Sequence, residues 1–433
     1  MKTFKYKKSK FYNEFKKFNQ KRLNIITNEK KVQNQVKKII DSIKISGDKA
    51  LFNYCLKFDK SKITEKNILI SKKMINNAKK EINSAVFKAF KKAIKNITNY
   101  HKYQFPKNFE VNNNEIITGS LWKPIESVGL YVPGGKASYP SSLIMNVIPA
   151  KVAGVKRIVV VTPSIKNIIS PYILCLLDLL KIKEAYQIGG PQAIGALAYG
   201  TKIVKPVKKI IGPGNAYVSE AKKQVYGKVG IDLMAGPSEI VVVADKYNNP
   251  EWVAADLIAQ AEHDENAQSI LITDNLKFSK NVFMSINKLI KRLSRKKIIE
   301  KSLQKNGAFI IVEDLKDAAD IINFIAPEHL HLQNKNIKKI LNKVQNAGGI
   351  FLGKYSPEAY GDYIAGTNHV LPTCGTAAFS SGLSVLDFMK RSSYVKISKK
   401  GSNNLEKYVS QMSSIENLDG HKLSVKIRQT RKK

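Results

Sequence analysis

The sequence predicts two parallel-sheet α/β lobes with small N- and C-terminal segments, and three observations predict it. Short β-branched runs, most closing in Gly or Pro, recur along the chain: SVGLYVPGG, KRIVVVTPS, EAYQIGG, KKIIGPGNAYV and SEIVVVAD. Helical stretches lie between them: SLIMNVIPAKVAGV, SPYILCLLDLLK, PQAIGALAYG and NAYVSEAKKQVYG. Strands alternating with helices argue for parallel α/β units. The chain has 433 residues, 43% of them hydrophobic, which is enough for more than one packed unit.

Taken in order, residues 1–25 read as a basic, aromatic-bearing arm without the apolar core of a secretory signal. Residues 26–236 hold a helical lead-in and the first lobe. The lead-in is clearest in VQNQVKKIIDSIKISGDKALFNYCLKFD, where SGD marks a turn and an N-cap. Residues 237–382 form the second lobe, with the helical run EWVAADLIAQAEHD followed by QSILITD. Residues 276–305 then read as a lysine-rich amphipathic helix pair with a solvated face. GAFIIVED and GGIFLG are two more strands. Residues 383–433 form a small tail with its own helix, NNLEKYVSQMSSI. The chain has no internal repeat and no low-complexity tract.

The net charge is +39, and 66 of the 73 basic residues are lysine. Nucleic-acid readers lean on Arg for bidentate contacts, and no basic motif here is interleaved with aromatics. Compositional bias accounts better for the lysine excess than a nucleic-acid partner does. Residues 351–388 escape that bias, with Lys354 as their one lysine; such a segment is buried, functional or both. No apolar run reaches the ~18 residues of a membrane span. The three cysteines, Cys55, Cys175 and Cys374, form neither CxxC nor a disulfide framework, which fits a reducing cytoplasm.

Four glycine-rich turns follow strands: VPGGKASYP, IGGPQAIG, IGPGNAYV and AGPSEIV. Glycine lets backbone approach a ligand, and four such turns in a parallel sheet suggest a crevice. None is GxGxxG or a Walker A sequence. Five of the six histidines fall in polar clusters. In AQAEHDENAQ, Gln260 and His263 share a helix face. APEHLHL brings an acid and a base together at Glu328 and His329, and histidine is the natural proton shuttle near neutral pH. GDYIAGTNHVLPT places Asp362 and His369 among glycines. ENLDGHKLSVKIR holds His421, with Glu416 before it. Gln260, His263, Asp362 and His421 would make a mixed N/O ligand set of the kind zinc takes. Each cluster alone is equally a satisfied helix end or a surface pair, and sequence does not show that the clusters converge.

These turns, AEHDENAQ, APEHL, GDYIAGTNHVLPT and the terminal HK segment stand in the order found in histidinol dehydrogenases. The chain resembles that family from GDKAL at 47 to VKIR at 428. The resemblance implies an aldehyde-dehydrogenase-like fold, a homodimer, and oxidation of L-histidinol to L-histidine with two NAD⁺, the last step of histidine biosynthesis. It implies zinc bound by Gln260, His263, Asp362 and His421, with His421 donated across the dimer interface. Glu328 and His329 would be catalytic. Substrate contacts would be Ser238, Gln260, His263, His329, Asp362, Glu416 and His421, with His369 nearby. NAD contacts would be Tyr131, Gln192 and Asn215, in three of the glycine turns. His331 is an extra histidine without a role. Two other readings compete: a thiol-dependent aldehyde dehydrogenase using Cys374, and a polyanion-binding protein explained by the charge.

Overall fold

The computed structural model describes residues 1–27, 30–134, 139–233 and 236–429. It opens on strand β1 (Lys2–Lys5) and helix α1 (Lys8–Thr27), so the stretch read as an arm is folded. Phe4, Phe11 and Phe15 are 3%, 1% and 0% exposed and pack against the second lobe's sheet. Helices α2 (Lys30–Tyr54), α3 (Lys72–Glu81) and α4 (Ser84–Lys102) form the lead-in. The SGD turn is a kink inside α2, where Gly47 takes φ 49°. Strands β2 (Phe109–Asn112) and β3 (Ile116–Pro124) follow.

The first lobe runs β4 (Ser127–Tyr131), α5 (Pro140–Ala153), β5 (Arg157–Val161), α6 (Pro171–Leu179), β6 (Glu184–Tyr186), α7 (Gly190–Tyr199), β7 (Lys209–Ile211), α8 (Ala216–Val225) and β8 (Gly230–Ile231). Its sheet has the order β6-β5-β4-β7-β8 and is parallel throughout. The second lobe runs β9 (Glu239–Val243), α9 (Pro250–Ala261), β10 (Gln268–Thr273), α10 (Leu276–Ile290), α11 (Lys296–Asn306), β11 (Ala308–Ile311), α12 (Ala318–Ile325), β12 (His329–Leu332), α13 (Ile337–Leu341), β13 (Gly349–Leu352) and α14 (Glu358–Tyr363). Its parallel sheet, β1-β11-β10-β9-β12-β13, takes β1 as an edge. Strand β14 (Met389–Ile397) pairs antiparallel with β3, and α15 (Lys399–Ile415) and α16 (Asp419–Lys426) close the chain.

Both parallel sheets are covered on two faces, which is why their strands read as unbroken β-branched runs. In β9, Val241 and Val243 pack on one side with Phe11 and Ile322. Ile240 and Val242 pack on the other side with Leu257 and Val282. The fold therefore presents two kinds of strand end. Tyr131 ends β4, and the turns after β6 and β7 lead into α7 and α8. In the second sheet, Glu239, Gln268 and His329 each begin a strand, with Gln268 opposite Glu239 and His329 opposite Ile240.

Candidate active site

The Glu328–His329 pair lies at the start of β12, between α12 and the sheet. Ala326 ends α12 in the left-handed region at φ 49°, with its N–H on the Ile322 carbonyl at 2.7 Å. The chain then turns inward, leaving Glu328 6% and His329 3% exposed. One residue of the neighbouring strand holds both side chains. The Glu239 N–H donates to Glu328 Oε2 at 2.9 Å, and the Glu239 carbonyl accepts from His329 Nδ1 at 3.0 Å. A carbonyl only accepts, so Nδ1 carries the hydrogen and Nε2 is left as an acceptor. That Nε2 is buried without a hydrogen-bond partner among the described residues and lies 3.7 Å from Asp362 Oδ1.

Gln260 is in the last turn of α9, and His263 follows just past its end, with its N–H on the Gln260 carbonyl. With its nitrogen turned toward Glu358, the Gln260 amide donates to both Glu358 oxygens at 3.0 Å. Its oxygen then accepts from His263 Nδ1 at 3.1 Å, and its nitrogen stands 3.1 Å from His329 Nδ1. Glu358 and Asp362 are four apart on α14, hence on one helix face. His369 gives Nδ1 to the Asp362 carbonyl at 2.9 Å and meets Ser142 Oγ with Nε2 at 3.3 Å. Ser142 belongs to α5, so the first lobe reaches the same pocket.

Burial dominates the electrostatics of this pocket. It lifts Glu328 and Glu358 well above the usual carboxylate range and Asp362 to about 7. It lowers His263, and pushes His329 down to about 3 and His369 to about 4, so these rings are neutral at pH 7. The pocket thus gathers three carboxyl groups and three neutral imidazoles. A cation entering it would be stabilised by the carboxylates.

Of the predicted site residues, Gln260, His263, Glu328, His329, Asp362 and His369 come together. Ser238 stands directly before Glu239, and its carbonyl accepts from the Gln268 N–H at 2.9 Å. Glu416 and His421 are exposed on the C-terminal helices, and among the described residues no hydrogen bond or ion pair joins either to the pocket. Tyr131 is buried, and its hydroxyl accepts from the Gly190 N–H at 3.1 Å, tying β4 to the turn before α7. Gln192 is fully buried, and the Cys55 thiol is the side chain that meets its amide. Asn215 caps α8 through the N–H groups of Tyr217 and Val218 at 3.1 Å. Parts of VPGGKASYP and AGPSEIV lie outside the described residues.

Sequence reasoning missed Glu358, Ser142 and Glu239. Glu358 carried a usable signal: it sits one helical turn before Asp362 in the lysine-poor segment. Glu239 acts through its backbone, which side-chain chemistry does not advertise. His331 is structural, bonded to the Gly353 carbonyl at 2.9 Å and 3.2 Å from Asp256. Burial, with the Glu239 carboxylate, pushes the Cys374 thiol up to about 11, which removes the thiolate a nucleophile needs. Among the described residues no three His, Cys, Asp or Glu side chains form a metal-holding group, and no helix is long and apolar enough to cross a membrane.

Known proteins match this chain over nearly its whole length. A sequence model of the histidinol dehydrogenase family matches residues 24–429. Histidinol dehydrogenase of Bacillus cereus is 47% identical over 401 residues, covering 92% of this chain and 93% of that protein. The Agrobacterium fabrum enzyme is 46% identical over 417 residues, covering 95% and 96%. The crystal structure of histidinol dehydrogenase from Elizabethkingia anophelis superposes with a TM-score of 0.92 at 36% identity, covering 99% of this chain and 98% of that one. The chain belongs to the histidinol dehydrogenase family of oxidoreductases.

Proposed function

We propose that the protein oxidises L-histidinol to L-histidine through the aldehyde, with two NAD⁺ and one zinc ion per subunit, in the cytoplasm. The observation that carries this reading is His329 Nε2, a buried, unpartnered acceptor beside Asp362 in a pocket rich in carboxyl groups. The residues present fit a zinc ion. Three carboxyl groups are lifted by burial, a state that a bound cation relieves. His263 is neutral, and its Nδ1 is engaged by Gln260, leaving Nε2 to ligate. Zinc would be held by Gln260, His263, Asp362 and His421 of the partner subunit, and when bound it orients the substrate's imidazole and amine. Of that set, His263 and Asp362 are the histidine and acidic members that one chain brings to the pocket.

The partner's contribution requires a homodimer in which residues 383–433 are exchanged. The C-terminal helices leave Met412 65%, Ile415 83% and Leu423 60% exposed, an apolar face that suits such an interface. Glu416 then faces the partner's substrate. Ser238 borders the same pocket. On the first lobe, Tyr131, Gln192 and Asn215 line the glycine turns proposed to hold NAD⁺, which accepts one hydride at each oxidation. The fully buried Gln192 amide, in the first turn of α7, supports a polar ligand there.

His329 Nε2 takes the hydroxyl proton as the carbinol C–H pair leaves as hydride, giving the aldehyde. Glu328 then takes a proton from water as the water oxygen adds to the aldehyde carbon, and protonated His329 gives its proton to the carbonyl oxygen, forming the neutral hydrate and freeing Nε2 again. His329 takes the hydrate's proton as the second hydride leaves, giving the carboxylic acid. Raised basicity at Glu328 suits a general base, and burial keeps the reactive aldehyde from solvent. The reading predicts a split between the half-reactions. Glu328→Gln should lose roughly 10²-fold or more on L-histidinal and less on the alcohol step, whereas His329→Asn should lose on both. Equal losses on both half-reactions for Glu328→Gln would remove the water-activating role.

A further inference from the structure

We propose that Arg22 is a positioning residue for the catalytic pair, acting through Glu239. This rests on the assignment of Glu328 and His329 made above. Arg22 projects from α1 and is 3% exposed, and its guanidinium reaches four acceptors on two strand starts. Nη2 donates to Glu239 Oε1 at 2.6 Å and to the Pro237 carbonyl at 3.0 Å. Nη1 donates to Gln268 Oε1 at 3.1 Å, and Nε to the Asn266 carbonyl at 3.0 Å. Asn19, one helical turn earlier, accepts from Gln268 Nε2 at 2.8 Å. Helix α1 thus fastens the first residue of β9 to the first residue of β10.

Glu239 is also the residue whose N–H and C=O hold Glu328 and His329. The β9–β12 pairing begins one residue later, at Ile240 opposite His329. The Glu239 N–H thus holds the Glu328 carboxyl, its carbonyl holds the His329 ring, and its own carboxylate is held by Arg22. Only a planar fork reaches this many acceptors in two strands; a lysine ammonium does not. A buried Arg–Glu pair is weak evidence for stability, because desolvation offsets its attraction. Its placement behind the catalytic pair points to geometry instead. A displacement of about 1 Å at a reacting group costs about 10²-fold in rate.

The test compares the parent protein, Arg22→Met, Arg22→Lys and the double variant Arg22→Met/Glu239→Gln, with zinc supplied throughout. Steady-state kinetics on L-histidinol and NAD⁺ are read beside Tm. In Arg22→Met, kcat is expected to fall roughly 10–100-fold, with both KM values within about twofold. The primary deuterium effect on kcat from carbinol-deuterated L-histidinol should rise, as hydride transfer becomes limiting. Arg22→Lys keeps the charge and should fold, with an intermediate kcat. The double variant leaves no buried charge, so Tm should recover while kcat stays low. Recovery of kcat together with Tm in the double variant, or parental kcat in folded Arg22→Lys, would overturn the proposal. A parent protein with no histidinol-dependent NADH would instead overturn the functional reading beneath it.

Discussion

Lys222→Met is a demanding test of how the first lobe shapes the turns proposed to hold NAD⁺. Lys222 and Asp232 are an ion pair with side chains 3% and 2% exposed. The ammonium also donates to the carbonyls of Gly212 at 3.0 Å and Leu233 at 3.1 Å, and Asp232 accepts from the Gly212 N–H at 2.7 Å. Gly212 is thus held from both sides, at φ 124°, where a Cβ would stand 2.1 Å from the Tyr131 carbonyl oxygen. Removing one partner of a buried pair costs about 3–5 kcal/mol, and each stranded carbonyl adds about 1–3 kcal/mol unless water reaches it. Protonation of Asp232 limits the loss, since burial already lifts its carboxyl above the usual range against the pull of Lys222. A raised carboxyl stabilises the folded state at low pH and loses that contribution as pH rises. The expected cost is therefore about 3–5 kcal/mol at pH 8 and smaller at pH 5. Urea midpoints at both pH values measure it, and the KM for NAD⁺ should rise as the Asn215 turn loosens. Lys222→Met/Asp232→Asn should regain much of the loss. A cost under about 1 kcal/mol at pH 8, or one that grows on acidification, would refute the reasoning.

Two further outcomes follow from the same reading of burial. Burial lifts Asp59 from 3.8 to about 6, so its contribution to stability is present below pH 4 and lost as pH rises through 6. Asp59→Asn should therefore gain on the parent by about 1–2 kcal/mol between pH 5 and pH 8, after allowing for partial exposure; a constant Tm gap would contradict this. Cys374→Ala should keep histidinol-dependent turnover within about twofold, because a thiol pushed up to about 11 supplies little thiolate at neutral pH. Loss of turnover in a folded variant would revive the thiol chemistry.

The parallel strands were legible because burial on both faces demands unbroken runs such as SEIVVVAD, punctuated by Gly and Pro. β1 and α1 were not, because lysines between Phe4, Phe11 and Phe15 gave the segment the texture of a solvated arm. Its role as a sheet edge and the reach of Arg22 depend on contacts across more than 200 positions. β12 was hidden by its polar content: His329 and His331 are strand residues whose rings each bond a backbone carbonyl, of Glu239 and Gly353. The pairing of Gln260 with His263 was legible from helix spacing, and Glu358 was overlooked although the same spacing links it to Asp362. Glu416 and His421 stay exposed in one chain, so no argument from a single subunit brings them to the pocket.

The central claim is a zinc-dependent oxidation of one alcohol to an acid by two hydride transfers. The most direct test supplies purified protein with L-histidinol and excess NAD⁺ and counts NADH formed per L-histidine, before and after a strong chelator. The account predicts two NADH per histidine, loss of turnover on chelation, and recovery with zinc. One NADH per aldehyde released, or turnover indifferent to the chelator, would contradict it.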